Sequence, residues 1–353
     1  METKDITLYP LLFEPNMKEV VWGGSRLKAW KGLEDDKRPI GESWEVSAID
    51  ERPGIISNGQ YRGTKITEII EQFGERILGK SVVEKYGREM PLLVKFIDAR
   101  HDLSIQVHPN DEMAMKHHGK RGKTEMWYVI DAEPGASLFV GFKEHITPYE
   151  FACRTKDGSI CDVLARHEVK TGDVFYIPSG RVHAICGGIL LVEVQQSSDL
   201  TYRIFDYNRK DINGEPRELH IDKAKEAIDY EVLDDYRVHY MEKTQKAVPV
   251  IKSPFFNIRV IDVEKSFHRN MIKYDSFVIT VCLSGTCTIK SRMDNNPTPT
   301  TLREGNSCLI PAELADYDIV PIDGKVKILE TFIDNLDTSI ANKINRFFHL
   351  TSR

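Results

Sequence analysis

The chain has 353 residues, a formal net charge of −6, 41% hydrophobic and 29% charged residues, which predicts a folded protein of one large or two ordinary domains. The acidic balance predicts no nucleic-acid or membrane partner, so a bound phosphate group would need a local basic cluster. The polar start METKDITLYP, the lack of a long apolar run and six cysteines without a C-x-x-C pair favour a cytoplasmic protein with reduced thiols.

Helical periodicity is confined to a few segments. Residues 64–86 carry apolar side chains at helical spacing, and Gly74 and Gly79 predict breaks in this segment. A short helix is predicted for residues 110–118, directly after Pro109. Elsewhere short apolar runs such as MPLLVKFIDA, DVFYIPSG and GILLVEVQQ are separated by turn residues. This pattern predicts a mainly β protein built as an antiparallel sandwich or barrel.

An internal echo indicates two copies of one β unit. The stretch GDVFYIPSGRVHAI after residue 171 is echoed by GNSCLIPAELADYDI after residue 304, and EMWYVIDAEPGASLFVGF by FVITVCLSGTCTIKSRM. Between the copies, residues 241–257 have low periodicity and two prolines, which predicts a linker or domain boundary. We therefore predict a first domain over 1–240, including the helical segment 64–86, and a second over 241–353. The apolar spacing of DNLDTSIANKINRFFHL predicts a helix at the end of the second.

The stretch SIQVHPN places two polar side chains on one face of a predicted strand. Gln106 and His108 alternate with Ile105 and Val107, and side chains two residues apart on a strand point to the same side. If both faces are buried, this polar pair needs partners, because unpaired buried polar groups are costly.

A second motif, G-x5-P-x-G-x2-H, supplies such a partner. It predicts a strand, a turn shaped by Pro178 and Gly180, and His183 at the start of the next strand. The two motifs resemble the two halves of the cupin signature, in which Glu125 of GKTEMWYVI takes the place of the acidic ligand. Two imidazoles, a carboxylate and the amide oxygen of Gln106 suit zinc or another divalent first-row ion with an open position.

The second copy lacks this ligand set. The positions that match Gly180 and His183 are Glu313 and Asp316, and no H-x-H or Q-x-H precedes them. We therefore expect one metal site per chain, in the first copy, and a metal-free second domain.

Several motifs together resemble the type I mannose-6-phosphate isomerases of the cupin group, in their shorter bacterial form. They are SIQVHPNDEMA, GKTEMWYVI, IPSGRVHAI, SSDLTYRIFDYNR, VWGG and GESWEVSA. The resemblance implies two cupin-type β-barrels or jelly rolls in tandem, with a few short helices on the first domain. It also implies a zinc-dependent aldose–ketose isomerase that interconverts mannose 6-phosphate and fructose 6-phosphate. One Zn2+ per chain would be held by Gln106, His108, Glu125 and His183.

Such chemistry requires removal of a proton next to a carbonyl and stabilisation of the resulting enediolate. Arg203 in TYRIFDYNR is the candidate cation, by its match to an arginine of the family. Lys123 lies two residues before Glu125, so the two side chains share a strand face. Lys123 is therefore a second candidate cation. Glu193 interrupts the apolar run LLVEVQQ and is the candidate base, with a water molecule at the metal as the alternative.

Substrate contacts are assigned partly by residue chemistry and partly by the resemblance. Ser104, Arg203 and Arg209 offer a hydroxyl and two guanidinium groups that suit a phosphate group. Trp22 and Glu42, with Trp44, lie in N-terminal motifs that the resemblance implies to be near the pocket.

The chain departs from the longer forms between Glu125 and His183, where only HITPYEFACRTKDGSICDVL is available, enough for one or two short helices. Two other functions remain open from the residues. An Fe(II) dioxygenase would need only His108, Glu125 and His183, and a sugar-binding cupin would need no catalysis. The expected partner is a small sugar phosphate, and the protein would be a monomer or a homodimer.

Overall fold

The computed structural model describes residues 7–34, 36–211, 213–293 and 298–334. Its strands, in chain order, are β1 (Leu11–Leu12), β2 (Met17–Gly24), β3 (Ile40–Val46), β4 (Leu92–Ala99), β5 (Ile105–Val107), β6 (Glu125–Ala132), β7 (Ser137–Phe142), β8 (Leu164–Glu168), β9 (Val174–Ile177), β10 (His183–Ile185), β11 (Ile189–Gln196), β12 (Tyr202–Phe205), β13 (Lys246–Lys252), β14 (Asn257–Val263), β15 (Phe267–Asn270), β16 (Val278–Ser284), β17 (Thr286–Ser291), β18 (Thr300–Arg303), β19 (Ser307–Ile310), β20 (Asp316–Pro321) and β21 (Val326–Phe332). Its α-helices are α1 (Arg26–Trp30), α2 (Ile66–Phe73), α3 (Glu75–Leu78), α4 (Lys80–Tyr86), α5 (Asp111–His118), α6 (Pro148–Asp157) and α7 (Ile221–Ala227). The mainly β class predicted from the sequence is confirmed.

The chain forms two compact units that are interleaved in sequence. The central unit consists of Pro15–Arg52 and Leu92–His239. The terminal unit takes its described residues from 1–14, 53–91 and 240–353.

Each unit contains two antiparallel sheets. In the central unit the strand orders are β2-β3-β4-β11-β6-β9 and β12-β5-β10-β7-β8, and in the terminal unit β1-β19-β16-β21-β14-β13 and β15-β20-β17-β18. No sheet of the described residues closes on itself, so each unit is a pair of open sheets, the jelly-roll alternative of the prediction rather than a closed barrel.

The predicted internal repeat is confirmed by the strand orders. β4 to β11 pair in the orders β4-β11-β6-β9 and β5-β10-β7-β8, and β14 to β21 repeat these orders strand for strand. The two echoing stretches lie at equivalent places, since β9 pairs with β6 and β19 with β16. Each copy is therefore an eight-stranded double sheet.

Alternation of buried side chains explains why the two faces of β5 are oriented as predicted. Ile105 and Val107 are fully buried in the core of the central unit, with Phe151 and Ile204. Full burial of such a side chain contributes about 1.5–3 kcal/mol. The same alternation turns Gln106 to the opposite face, where it is partly exposed. The hydrophobic pattern thus fixes the side on which the polar residues lie.

The helices predicted for 64–86 and 110–118 are confirmed. The segment 64–86 forms α2, α3 and α4, broken at Gly74 (φ 43°) and Gly79 (φ 92°), where glycine tolerates the positive φ. α5 begins after Asn110, whose side chain accepts a hydrogen bond from the Met113 N–H at 2.9 Å. Between Glu125 and His183 the chain forms α6 and a short 3-10 turn, as the length of that stretch predicts.

The helical segment belongs to the terminal unit, which corrects its predicted place in the first domain. Arg76 forms an ion pair with Glu313 at 2.5 Å, and Asp275 accepts hydrogen bonds from the backbone and hydroxyl of Ser81. These contacts join 53–91 to residues after 240. Contacts between residues so far apart in the sequence could not be predicted from local patterns.

The predicted linker lies next to a unit boundary but is not unstructured. Tyr240 begins the last part of the terminal unit, and β13 within this stretch pairs with β14. Pro249 sits at a register shift of this outer strand, a position that tolerates proline. The predicted C-terminal helix lies outside the described residues. None of the described helices is both long and apolar enough to span a bilayer.

Candidate metal centre and active site

Three predicted metal ligands converge in the central unit. His108 directly follows β5, Glu125 begins β6 and His183 begins β10, and one ligand atom of each lies within 4.8 Å of the others. His108 Nε2 is 3.4 Å from Glu125 Oε2, and His183 Nε2 is 3.4 Å from Glu125 Oε1. All three side chains are buried. The carboxylate thus lies between the two imidazoles.

Each imidazole is oriented by a backbone carbonyl. His108 Nδ1 lies 2.8 Å from the Leu200 carbonyl, and His183 Nδ1 lies 2.8 Å from that of Arg181. A carbonyl only accepts, so each Nδ1–H donates and each Nε2 keeps its lone pair. Burial lowers the pKa of both imidazoles. For His108 the pKa falls to about 3, and the charge of Lys123 is the second cause. Both rings are therefore neutral, as metal ligands must be.

The Glu125 carboxylate is buried without hydrogen bonds. Neither oxygen has a hydrogen-bond partner in the described chain, although Lys123 Nζ is an ion-pair neighbour at 2.8 Å from Oε2. Burial alone would raise the pKa of Glu125, but the charge of Lys123 holds it well below its usual value. An ionised carboxylate that faces two imidazole lone pairs, and whose Oε1 has no hydrogen-bond partner among the described residues, fits a divalent cation.

Gln106 lies beside this group on the middle strand of three. It is directly opposite His183 on β10 and Arg203 on β12. Its Nε2 is 3.2 Å from His183 Nε2, and its Oε1 is 3.5 Å from Ser104 Oγ. Rotating the amide by half a turn would exchange its nitrogen and oxygen. Gln106 is thus within reach of the group, and its role as a ligand stays a prediction.

A pocket of about 320 Å³ opens beside the group, between the two sheets of the central unit. The predicted site residues that line it are Trp22, Glu42, Trp44, Ser104, Gln106, Lys123, Glu193 and Arg203. The other lining residues are Lys18, Val20, Lys95, Ile97, Leu103, Asp199, Thr201, Arg217 and His220. The structure therefore brings most of the predicted residues to one cavity.

Charges of opposite sign alternate along one wall of this pocket. From Glu125 the row continues through Lys123 to Glu193, 3.9 Å away, and on to Lys95 at 3.3 Å. Both oxygens of Glu193 are engaged, because Trp127 Nε1–H donates to Oε2 at 3.2 Å. Glu193 is thus held in a fixed orientation.

The row ends at Glu42, which pairs with Lys18 at 3.1 Å and accepts a hydrogen bond from Trp44 Nε1 at 2.6 Å. Burial opposes its ionisation, but the charges of Lys95 and Lys18 lower the pKa of Glu42 to about 2. For Lys123, burial is likewise outweighed by Glu125 and Glu193, so its pKa is raised. Glu42 and Lys123 are therefore both charged at neutral pH.

Lys95 is the main residue of this row that sequence reasoning missed. It lies on β4 opposite Glu193 on β11, donates to Gln195 Oε1 at 2.9 Å and lies 4.8 Å from the Trp44 ring centroid. A lysine inside the apolar run MPLLVKFIDA was the available signal, because a buried lysine needs a partner.

The predicted Arg209 is not in the pocket wall, whereas Arg217, which the sequence did not suggest, lines the pocket. Arg209 donates to Asp206 at 2.8 and 3.0 Å and to the Asp102 carbonyl, and it is not among the pocket-lining residues. Arg217 does line the pocket, and the same Asp206 holds it at 2.7 and 2.5 Å.

In the second copy, the two positions that replace metal-motif residues form ion pairs. Glu313 pairs with Arg76 at 2.5 Å, and Asp316 lies 2.5 Å from His268 Nε2. Both carboxylates therefore have cationic or hydrogen-bonding partners within the terminal unit.

Comparison with known proteins supplies the family. Residues 11–135 match the model of the phosphomannose isomerase type I catalytic domain. A putative mannose-6-phosphate isomerase of Bacillus subtilis is 34% identical over 318 residues, which cover 89% of this chain and 96% of the relative. The chain belongs to the type I phosphomannose isomerase family. The resemblance stated from the motifs is thereby confirmed.

Other mannose-6-phosphate isomerases are similar over most of the chain. A mannose-6-phosphate isomerase of Streptococcus mutans is 32% identical over 321 residues, covering 91% of this chain and 97% of the relative. The crystal structure of the mannose 6-phosphate isomerase from Bacillus subtilis matches with a TM-score of 0.81 at 31% identity, covering 92% and 99%. A variant of the Salmonella typhimurium phosphomannose isomerase shares the fold at 14% identity, with a TM-score of 0.74.

Proposed function

We propose that this protein interconverts mannose 6-phosphate and fructose 6-phosphate, and that the pocket of the central unit is its active site. The observation that carries the proposal is the buried His108–Glu125–His183 group at the edge of a pocket lined by several cations. The pocket residues named here come from one chain, so a monomer or a homodimer is compatible. A sugar phosphate agrees with the predicted cytoplasmic location.

The metal in this proposal is one Zn2+ per chain, held by His108, Glu125 and His183 with Gln106 as the fourth ligand. The donor set of two imidazoles, a carboxylate and an amide oxygen suits zinc, and the buried Glu125 Oε1, which has no hydrogen-bond partner among the described residues, favours a cation there. When bound, the ion would polarise the oxygens between which the carbonyl moves.

Glu193 is the proposed base that carries the proton between C1 and C2. Its two oxygens are positioned by Lys95 and by Trp127, and it faces the pocket. A base in a fixed position can act on both neighbouring carbons of a bound sugar without reorganisation.

Lys123 and Arg203 are the proposed stabilisers of negative charge on the substrate oxygens. Lys123 lies between Glu125 and Glu193 and carries its charge at neutral pH. Arg203 lies opposite Gln106 on the neighbouring strand and lines the same pocket. Fixed cations of this kind contribute most when charge develops during the reaction.

For the rest of the substrate we propose contacts with Ser104, Trp22 and Glu42, all of which line the pocket. Arg209, in this proposal, takes part indirectly, because it shares Asp206 with Arg217.

The two alternatives from the sequence are not favoured. An Fe(II) dioxygenase would use the same three ligands, but the relatives that cover most of this chain are named mannose-6-phosphate isomerases. A sugar-binding protein without catalysis would not need the fixed Glu193 and the charged row beside it. Turnover of mannose 6-phosphate without oxygen would distinguish the isomerase from the dioxygenase.

The test is a coupled assay that follows the appearance of fructose 6-phosphate from mannose 6-phosphate, in air and under anaerobic conditions. The proposal predicts the same rate in both, with no oxygen consumption. Oxygen-dependent product, or no product from metal-loaded protein, would contradict it.

A further inference from the structure

The segment Arg217–His220, between β12 and α7, is fastened to the proposed catalytic Arg203. Arg203 Nη1 donates to the Glu218 carbonyl at 2.9 Å, and the Arg203 backbone N–H donates to His220 Nδ1 at 3.2 Å. The His220 N–H donates in return to the Arg203 carbonyl at 2.7 Å. These contacts fix Glu218 and His220 beside Arg203, and Arg217 directly precedes Glu218.

His220 presents a hydrogen-bond donor at the pocket. Because Nδ1 accepts a backbone N–H, the neutral ring carries its proton on Nε2. Burial lowers the pKa of His220, which favours this neutral form. The carboxylate of Glu218 lies 3.7 Å from Nε2, beyond hydrogen-bond distance. The Nε2–H is therefore available to a ligand in the pocket, which His220 lines.

Arg203 and Arg217 add guanidinium donors on the same side. Arg203 Nε is buried and has no hydrogen-bond partner in the described residues, and an unpaired buried donor is costly. Burial and the neighbouring Arg217 also lower the pKa of Arg203, so a bound anion would relieve both effects. Asp206 holds Arg217 through Nε and Nη2, which fixes the plane of its guanidinium.

The local charge favours an anion such as a phosphate group. Arg203, Arg209 and Arg217 lie near two carboxylates, Asp206 and Glu218, so this cluster has one positive charge in excess. Asp199, a carboxylate that lines the pocket, is paired with Lys120 at 3.0 Å. Guanidinium groups bind phosphate oxygens in a bidentate geometry.

We propose that Arg217 and His220 bind the phosphate group of the substrate together with Arg203, and that the segment 217–220 thereby sets the preference for phosphorylated sugars. This inference rests on the proposed isomerase function and names residues outside the cupin motifs. Arg209 is the rival residue, because it belongs to the same cluster but does not line the pocket.

The test compares Arg217→Met and His220→Asn with the wild-type enzyme in two measurements. The first is the kcat and KM for mannose 6-phosphate, and the second is the Kd of inorganic phosphate by calorimetry. Loss of a hydrogen bond to a charged group should raise KM and the phosphate Kd by about tenfold or more, with a much smaller change in kcat. Arg217→Met should fold, because Asp206 keeps Arg209 as its partner.

Three further variants separate this assignment from general effects. Arg217→Lys keeps the charge and should recover part of the phosphate affinity. Arg154→Met is the matched control, since Arg154 is paired with Glu150 on the surface of α6 and its loss should leave both measurements unchanged. Arg209→Met tests the rival, and an effect on phosphate Kd larger than that of Arg217→Met would overturn the assignment.

The inference is also overturned if wild-type protein does not bind phosphate, or if Arg217→Met and His220→Asn bind it as well as wild type. Failure of the proposed function gives a different pattern. In that case the wild-type enzyme would not isomerise mannose 6-phosphate, while the phosphate Kd series would still report on Arg217 and His220.

Discussion

Removing the Lys95 ammonium tests whether the charged row of the pocket is coupled. Lys95 Nζ lies 3.3 Å from Glu193 Oε1, and both side chains are more than 90% buried. At this distance Coulomb's law with an effective dielectric constant of about 20 gives about 5 kcal/mol of attraction. Lys95→Met also leaves Gln195 Oε1 without the donor at 2.9 Å.

The loss in the free energy of unfolding caused by Lys95→Met should be smaller than this Coulomb energy. Glu193 keeps the Trp127 Nε1–H at 3.2 Å and the Lys123 ammonium at 3.9 Å, and the desolvation cost of Lys95 disappears with its charge. Since removal of one partner from a buried pair costs about 3–5 kcal/mol, these remaining partners reduce the expected loss to about 2–4 kcal/mol.

The assay is urea unfolding combined with isomerase kinetics, for Lys95→Met, Glu193→Met and the double variant. The double variant should be more stable than the sum of the single effects, because a buried charge without its partner costs more than no charge. We expect a coupling energy of about 2 kcal/mol, within the range for contacting residues. Lys95→Met should also lower kcat, because it releases one oxygen of the proposed base.

The terminal unit offers a matched control. Arg259 on β14 lies opposite Glu330 on β21, as Lys95 lies opposite Glu193 on the equivalent strands. Arg259→Met should cost stability and leave isomerase activity intact. Additive single effects within about 0.5 kcal/mol, or equal activity losses in the two variants, would refute the coupling.

Three other predictions concern the metal group and the helical segment. Gln106→Ala should weaken metal affinity about 10–100-fold if the amide is a ligand or orients one, as measured by competition with a chelating dye, and an unchanged affinity would remove Gln106 from the group. Lys123→Met should lower kcat/KM by about 100-fold or more, since a fixed cation at developing charge contributes several kcal/mol. The variant should still bind metal, and a loss of metal binding would instead assign Lys123 a structural role. Gly79→Ala should destabilise the terminal unit by about 2 kcal/mol or more. A positive φ penalises alanine by about 1 kcal/mol or more, and a Cβ at Gly79 (φ 92°) would overlap the Asp275 carbonyl. A thermal midpoint equal to that of wild type would contradict this prediction.

Local sequence patterns were sufficient for the helices and their breaks, and the candidate metal ligands needed the resemblance to the cupin signature as well. The breaks at Gly74 and Gly79 need only the short-range preference of glycine for positive φ. Strand alternation placed Gln106 and His108 near one another, and the resemblance to the cupin signature joined them with Glu125 and His183. The repeat was visible because both copies keep the same turn residues before equivalent strands.

Features that depend on strand register and on distant contacts were not predictable. Lys95 can pair with Glu193 because β4 pairs with β11 in a register that places the two residues opposite each other. The choice between Arg209 and Arg217 depends on the path of the chain around Asp206, which binds both. Likewise, the assignment of 53–91 to the terminal unit depends on contacts with residues about 200 positions later, such as Asp275.

Metal titration of stripped enzyme tests the central claim, that the His108–Glu125–His183 group holds the ion on which isomerisation depends. The activity towards mannose 6-phosphate should be lost on chelation, rise linearly with added Zn2+ and stop rising at one equivalent per chain. His183→Ala should bind no ion at that site and should show no recovery. Full activity in metal-free protein, or recovery in His183→Ala equal to that of wild type, would contradict the account.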